Sequence, residues 1–287
     1  MKIILQIASL AAKILPAGVK KKLYQNPKLA KKIRSTLNAA SPVGLTQTKI
    51  AGGSIKGFQI NLDMQTEKDY WLGTYEINLQ DAIKKFCQPA MVVYDIGANI
   101  GYISLIFARQ VGSQGKVLAF EPLPENFKRL LENIALNDLN SRITPYQAAM
   151  VDKPGETTFY IHQSGAMGKA EGSLGREEKY LSKIKVEAVA LDNFIFTKKH
   201  PQPDLIKMDI EGGEVLAVQG MRKTLTEIKP VILVEIHSHA ALECLWKEFR
   251  STGYSLFKME KGYPEIKDPE DLGDRAYAVA IPNKKTG

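Results

Sequence analysis

Apolar residues in the second two thirds of this chain fall into two alternating patterns. Short, largely apolar runs occupy residues 91–94, 116–120, 143–150, 204–210 and 230–236. Such runs predict strands buried on both faces of a parallel sheet. Between them, apolar positions recur every three or four residues. That spacing predicts helices over 78–87, after Gly101 (Ile103, Ile106 and Phe107, with Leu105 and Ala108), over 124–137 (Phe127, Leu130, Leu131 and Ile134 inward, Pro near the start), over 214–227 and over 240–252. Residues 254–259 and 275–281 are the last two strands, placed to form an antiparallel hairpin. Strand–helix alternation predicts an α/β fold with a mostly parallel sheet and helices on both faces.

The upstream part reads differently. Ile3, Ile7, Leu10 and Ile14 make one row at helical spacing beside Lys2, Gln6, Ser9 and Lys13. That is an amphipathic helix, shorter than the ~20 apolar residues of a membrane span. Gln6 and Lys13, with no clean small-x-small site, argue against a signal peptide. After Pro16 and Gly18, residues 20–37 predict a second, basic helix, and 41–62 a small hairpin with glycine turns. The expected domains are therefore a basic helical extension, 1–40, and one α/β domain, 41–287. Within the latter, 157–162 and 184–190 predict a β-ribbon beside the core, an insertion of about 156–190. The glycine-rich stretch 163–183 between them predicts a mobile loop over the site.

Charge sharpens this division. The net charge is +8, but residues 1–62 hold eleven Lys and Arg and no Asp or Glu, leaving 28 basic against 31 acidic residues in the rest. The α/β body is thus mildly acidic. A nucleic-acid enzyme would more often carry its basic stripe around the site. The extension suits either a cap on the fold or an anionic membrane surface. Cys87 and Cys244 form no C-x-x-C, which excludes a zinc site of the usual spacing and suggests a reducing, cytoplasmic setting.

Candidate chemistry begins where the first strand ends. Asp95-Ile96-Gly97-Ala98-Asn99-Ile100-Gly101 has the spacing D-x-G-x-x-x-G, not the G-x-G-x-x-G of dinucleotide sites. Gly97 and Gly101 would let backbone approach a ligand. Asp95 would repel a pyrophosphate, so a cationic or zwitterionic ligand fits better, and S-adenosylmethionine (SAM) carries a sulfonium and an amino acid but no phosphate. Glu121 closes the next strand, where an acid grips ribose hydroxyls in related nucleotide sites.

These residues, with Phe120-Glu121-Pro122 and Lys207-Met208-Asp209-Ile210-Glu211-Gly212-Gly213-Glu214, resemble the FkbM family of SAM-dependent methyltransferases, from about Trp71 to about Tyr254. The resemblance implies a class I methyltransferase fold with a seven-stranded sheet. It also implies O-methylation of a hydroxyl on a sugar, glycolipid or secondary metabolite. On this reading the cofactor is held by Asp95, Gly97, Ala98, Asn99, Gly101, Glu121, Pro122, Ala149, Met150 and Asp209, the alanine and methionine lying where adenine stacks in this fold.

An alcohol is a weak acid, so a base or a metal must help it react. Two arrangements fit the ends of the fourth and fifth strands. In one, His237 is the general base, held by Glu235 or Asp209. In the other, Asp209 with Glu235 or His237 binds a divalent cation. A third reading leaves the acidic block only ordering its turn and pairing with Lys207. Competing functions are a nucleic-acid methyltransferase, against which the lack of an Asn/Asp-Pro-Pro-Tyr/Phe motif speaks, and a non-catalytic SAM-binding module, against which the intact acids speak.

Overall fold

The computed structural model describes residues 26–163, 167–174, 180–272 and 276–283. The amphipathic helix expected over residues 1–15 lies outside them. The chain divides into two compact units: residues 1–77 with 135–137, and 78–134 with 138–287.

In the first unit, helix α1 (Pro27–Ala40) precedes strands β1 (Leu45–Lys49) and β2 (Gln59–Asp63), paired antiparallel with Leu45 opposite Asp63. Helix α2 (Lys68–Leu72) follows. Ile50, Ile55, Ile60, Leu62 and Trp71 are buried, and the Ala51 N–H donates to the Trp71 carbonyl at 2.8 Å. Residue 40, the expected domain boundary, lies within the residues of this unit.

The second unit holds the expected α/β sheet. Its strands are β3 (Val92–Ile96), β4 (Lys116–Phe120), β5 (Ile143–Tyr146), β10 (Leu205–Met208), β11 (Val231–Ile236), β12 (Tyr254–Lys258) and β13 (Ala276–Pro282), in the order β12-β13-β11-β10-β3-β4-β5. Neighbours from β11 through β5 pair in parallel, and β13 runs antiparallel to both β11 and β12. Helices follow most of these strands: α3 (Ile77–Phe86) leads in, then come α4 (Tyr102–Val111), α5 (Pro124–Ala135), α6 (Glu214–Gln219) and α7 (His239–Ser251).

Side chains alternate across the sheet. Tyr94, Ile96, Leu118, Phe120, Ile206, Met208, Ile232 and Val234 face one way, into a core closed by Val215, Ala217 and Val218 of α6 and Ala241, Leu242, Leu245 and Phe249 of α7. The intervening positions face α4: its Ser104 hydroxyl donates to Asp95 at 2.5 Å. Helices therefore cover both faces. Four elements depart from the pattern-based reading. The strand expected over 143–150 breaks at Gln147, and β6 (Ala148–Met150) joins a second sheet with β7 (Gly155–His162), β8 (Gly168–Ala170) and β9 (Tyr180–Val189), in the order β6-β9-β7-β8. The expected loop over 163–183 accordingly contains β8 and the start of β9. The helix expected over 214–227 stops at Gln219 and resumes as a π-helical turn, Thr224–Ile228. Glycine 220 sits at the break, where a Cβ would meet the Val151 carbonyl at 2.2 Å. On α5, Leu131 is 43% exposed rather than inward, while Asn126 and Asn133 are buried. They share a stripe with Leu130 and Ile134, spaced at four, seven and eight residues from Asn126.

One buried ion pair ties the middle of the sheet. Lys207 on β10 lies opposite Asp95 on β3, with Nζ 3.3 Å from the Asp95 carboxylate and the two side chains 4% and 0% exposed. Nζ also donates to the Gly97 carbonyl at 2.7 Å. Removing one partner of a buried pair strands the other charge, at a cost of about 3–5 kcal/mol. Lys207→Met should therefore lower the urea midpoint severely. The double variant Lys207→Met/Asp95→Leu should recover much of the loss, and equal midpoints for single and double variants would contradict the pairing.

Candidate active site

The site is built from the carboxyl ends of β3, β4, β10 and β11, the edge at which open α/β sheets bind ligands. Residues 97–101 leave β3 as a tight turn. Gly97 and Gly101 have φ of 78° and 90°, and Asn99 has φ of 49°, a left-handed value that asparagine tolerates better than most. A Cβ on Gly97 would stand 1.9 Å from the Asp209 carbonyl oxygen, and one on Gly101 would meet Leu130 at 2.6 Å. The sequence suggested that these glycines clear space for a ligand. What they clear is space for neighbouring elements of the chain itself.

The N–H groups of this turn are spent internally. Those of Gly97 and Ala98 donate to the Phe120 carbonyl, that of Gly101 to Ala98, and that of Asn99 to Glu121 at 2.8 Å. A turn whose donors are used in this way has few left for a pyrophosphate, in keeping with a phosphate-free ligand. Glu121 also accepts from the Leu123 N–H at 3.0 Å and from Asn126 at 3.3 Å. Burial pushes its carboxyl up to about 7 against these bonds and against Lys207. Its oxygens carry further lone pairs, so ribose hydroxyls can still be received there. Pro122 is buried beside it. Asp95 is enclosed by Lys207 and Ser104, so the carboxylate orders the turn from inside the protein. Met150 packs into the main core, and Ala149 into the cluster of Leu123, Val151, Phe159 and Val186.

Across the same edge, Asp209 follows the last residue of β10 and His237 the last of β11. Met208 lies opposite both Ile96 and Val234, which brings Asp209 beside Gly97 on one side and Glu235 on the other. Glu211 then turns back with φ of 52° and Gly212 with φ of 96°. A left-handed non-glycine residue costs of order 1 kcal/mol or more and is kept where surroundings enforce it. Here the Glu214 carboxylate enforces it by accepting from the N–H groups of Ile210 at 3.3 Å and Gly212 at 3.1 Å. The sequence placed Lys207, Asp209 and Glu211 on one face while the strand lasted; it ends before Asp209.

His237 is 3% exposed and stands among four carboxylates. Its Nδ1 lies 2.8 Å from Glu214, which is fully buried. Its Nε2 faces Glu235 at 3.4 Å, Asp209 at 3.5 Å and Glu211 at 3.6 Å. The structure thus gathers Asp209, Glu235 and His237 as the sequence expected, but the group that holds Nδ1 is Glu214, not Glu235 or Asp209. The spacing Asp209-x-Glu211-x-x-Glu214 carried that signal, since only a turn after Asp209 could bring the last acid under the ring. Burial alone would depress the imidazole, but the Glu214 hydrogen bond and charge, then Asp209 and Glu211, outweigh it and raise its pKa to about 9. Helix α7 begins at once: the Ser238 hydroxyl accepts from the Ala241 N–H at 3.1 Å and donates to the Leu174 carbonyl at 2.6 Å. The Leu174 N–H donates to Gly212 at 3.0 Å, so residues 172–174 lie against both strand ends.

A seven-stranded sheet of this order, with a glycine turn after β3 and an acid after β4, defines a class I SAM-dependent methyltransferase. Residues 95–256, over half of the chain, match the family described as the methyltransferase FkbM domain, and the chain belongs to that family. The hexuronic acid methyltransferase AglP of Haloferax volcanii is 26% identical over 191 residues, 64% of this chain and 73% of that protein. The 2-O-methyltransferase NoeI of Sinorhizobium fredii is 30% identical over 156 residues, 50% of this chain and 62% of NoeI. A crystal structure of an FkbM methyltransferase from Methylobacillus flagellatus aligns over 76% of this chain and 54% of its own, with 18% identity and a TM-score of 0.45.

The raised imidazole has a measurable consequence. His237 should titrate near 9 in the NMR spectrum of chelator-treated protein, and Glu214→Gln should bring that value down. A group whose folded pKa lies above its unfolded value of 6.5 stabilises the fold fully below that value, and the contribution is lost as pH rises through about 9. Stability attributable to His237 should therefore decline over that interval in wild type and decline less in Glu214→Gln. An unshifted resonance near 6.5 would contradict the arrangement.

Proposed function

We propose that this chain transfers the methyl group of SAM to a hydroxyl of a sugar-type acceptor, a uronic acid or hexose, free or carried on a glycolipid. The observation that carries the reading is the cluster at the ends of β10 and β11, where His237 Nε2 faces Asp209, Glu211 and Glu235 at 3.4–3.6 Å. It lies along the same sheet edge as the 97–101 turn. The sugar class is supported by two relatives named as a hexuronic acid methyltransferase and a 2-O-methyltransferase.

When bound, SAM supplies an electrophilic methyl on a sulfonium. The residues that would hold it are Gly97, Ala98, Asn99 and Gly101 of the turn, Glu121 with Pro122 for the ribose, Ala149 and Met150 beside the adenine, and Asp209 at the neighbouring strand end, with Asp95 acting through Lys207. The chain's own task is the acceptor's proton, which must leave oxygen as the new bond to carbon forms. Nε2 of His237 is the atom placed to receive it. Glu214 fixes the ring through Nδ1, and Asp209 and Glu235 stabilise the imidazolium that results.

Residues 1–40 are part of the proposal as a peripheral contact with an anionic membrane surface. Their nine Lys and Arg, without an acid, support it. Among the described residues no helix is long and apolar enough to cross a membrane. A cytoplasmic setting is supported by Cys87 and Cys244, both free.

Calorimetry with S-adenosylhomocysteine should give micromolar affinity, weakened at least tenfold by Glu121→Ala, which leaves the Asn99 and Leu123 N–H groups unpaired and removes the ribose acceptor. Label from methyl-labelled SAM should pass to glucuronate or hexose glycosides and not to RNA. Labelled RNA with unlabelled sugars would overturn the acceptor class, and undetectable binding of the homocysteine product would overturn the reading entirely.

A further inference from the structure

We propose that Asp209, Glu211 and His237 form a divalent-cation site at the sheet edge, of a chemistry suited to Mn²⁺. It rests on the acceptor reading above and changes one role in it: with the ion bound, His237 Nε2 is a ligand and Glu235 takes the acceptor's proton in its place. The ligand atoms of these three side chains all lie within 4.8 Å of one another. Two independent observations separate them from an ordinary patch of surface acids.

The first is His237 Nε2. The residue is 3% exposed, its Nδ1 is taken by Glu214, and Nε2 is a buried nitrogen with no hydrogen bond. It points into the carboxylates all the same. The second is the spacing. An N–H···O hydrogen bond spans about 2.7–3.2 Å. The separations from Nε2 to Asp209 and Glu211 are 3.5 and 3.6 Å. Two ligands bound at about 2.0–2.2 Å on one ion stand about 2.8–3.1 Å apart in octahedral geometry and about 3.3–3.6 Å apart in tetrahedral geometry. These groups are therefore too far apart for good hydrogen bonds and correctly spaced to share a cation.

The surrounding chain fits a ligand role. A metal-bound imidazole usually has its other nitrogen held by a carboxylate, which sets the tautomer and strengthens the ligand. Glu214 is that carboxylate, and its own position is fixed by the N–H groups of Ile210 and Gly212. The left-handed Glu211 is what returns a second carboxylate to the ring. One imidazole with two carboxylates favours a first-row cation such as Mn²⁺ over Ca²⁺, which takes an all-oxygen shell. Asp209 and Glu211 balance its charge, and Glu235, 3.4 Å from Nε2, stands beside it. A hydroxyl on such an ion becomes a stronger acid. Its O–H bond then breaks with the proton passing to the Glu235 carboxylate, the oxygen–methyl bond forms as the methyl–sulfur bond breaks, and S-adenosylhomocysteine leaves neutral at sulfur.

The test is Mn²⁺ binding to full-length, chelator-treated protein, followed by electron paramagnetic resonance and calorimetry. Wild type should bind one Mn²⁺ per chain. Removal of a ligand in His237→Gln or Glu211→Gln should weaken it by about 10–100-fold or more. Glu211 is half-exposed, so Glu211→Gln is expected to fold as wild type even where His237→Gln does not, and circular dichroism checks both. Glu243→Gln, outside the cluster on α7, should bind as wild type. S-adenosylhomocysteine affinity is measured on the same samples. Cofactor binding without stoichiometric Mn²⁺ binding, or Mn²⁺ binding unchanged in Glu211→Gln, would overturn the cation site while leaving the methyltransferase reading standing. Absent cofactor binding would instead remove the reading on which it rests.

Discussion

The closeness of β3 and β10 at their carboxyl ends is the constraint on which the rest depends. Gly97 lacks a Cβ, and the Asp209 carbonyl occupies the space a Cβ would need. Lys207 fixes the approach by pairing with Asp95 and donating to the Gly97 carbonyl. A buried ion pair of this kind is weak evidence for stability, since hydrophobic residues of similar volume often serve as well. Its use here is positional. It holds the glycine turn against the strand end that begins the acidic cluster.

That cluster concentrates negative charge around one imidazole. Four carboxylates surround His237, and the ring responds by holding a proton more tightly than a free histidine, with a pKa raised to about 9. Buried charge is costly unless it is paired or coordinates a metal, so the cluster favours a positive partner. The imidazolium is that partner in the isolated chain, and a cation at Asp209, Glu211 and His237 is another way to supply it. In either form the strained turn at Glu211 and the buried Glu214 bear the structural cost of the chemistry.

Much of the fold was legible because buried parallel strands need short, largely apolar runs, and β3, β4, β10 and β11 have them, each with a single charged residue. The antiparallel pairing of the end strands was expected from the architecture that the family resemblance implies, and β12 and β13 pair in that way. The break at Gln147 was not, because Ala148–Met150 is as apolar as the strand before it, and what separates them is pairing with β9, a contact across about 40 residues. The burial of Asn126 and Asn133 in place of Leu131 was hidden for a similar reason. Their partners, Glu121 after β4 and the Ile100 carbonyl of the 97–101 turn, lie outside the helix. At the site, residue types at strand ends identified Asp209, Glu235 and His237. The hold of Glu214 on the ring depended on a left-handed turn at a glutamate, which composition does not reveal.

The central claim is that this cluster handles the acceptor's proton while the turn across the edge holds the cofactor. Single-turnover methyl transfer at saturating SAM, in wild type and in His237→Ala, tests it most directly when S-adenosylhomocysteine affinity is measured alongside. The account expects the rate constant to fall by roughly 10²–10⁴, the usual scale for losing a proton acceptor or its equivalent, with affinity within a few-fold of wild type. A His237→Ala protein that transfers methyl at close to the wild-type rate would contradict it.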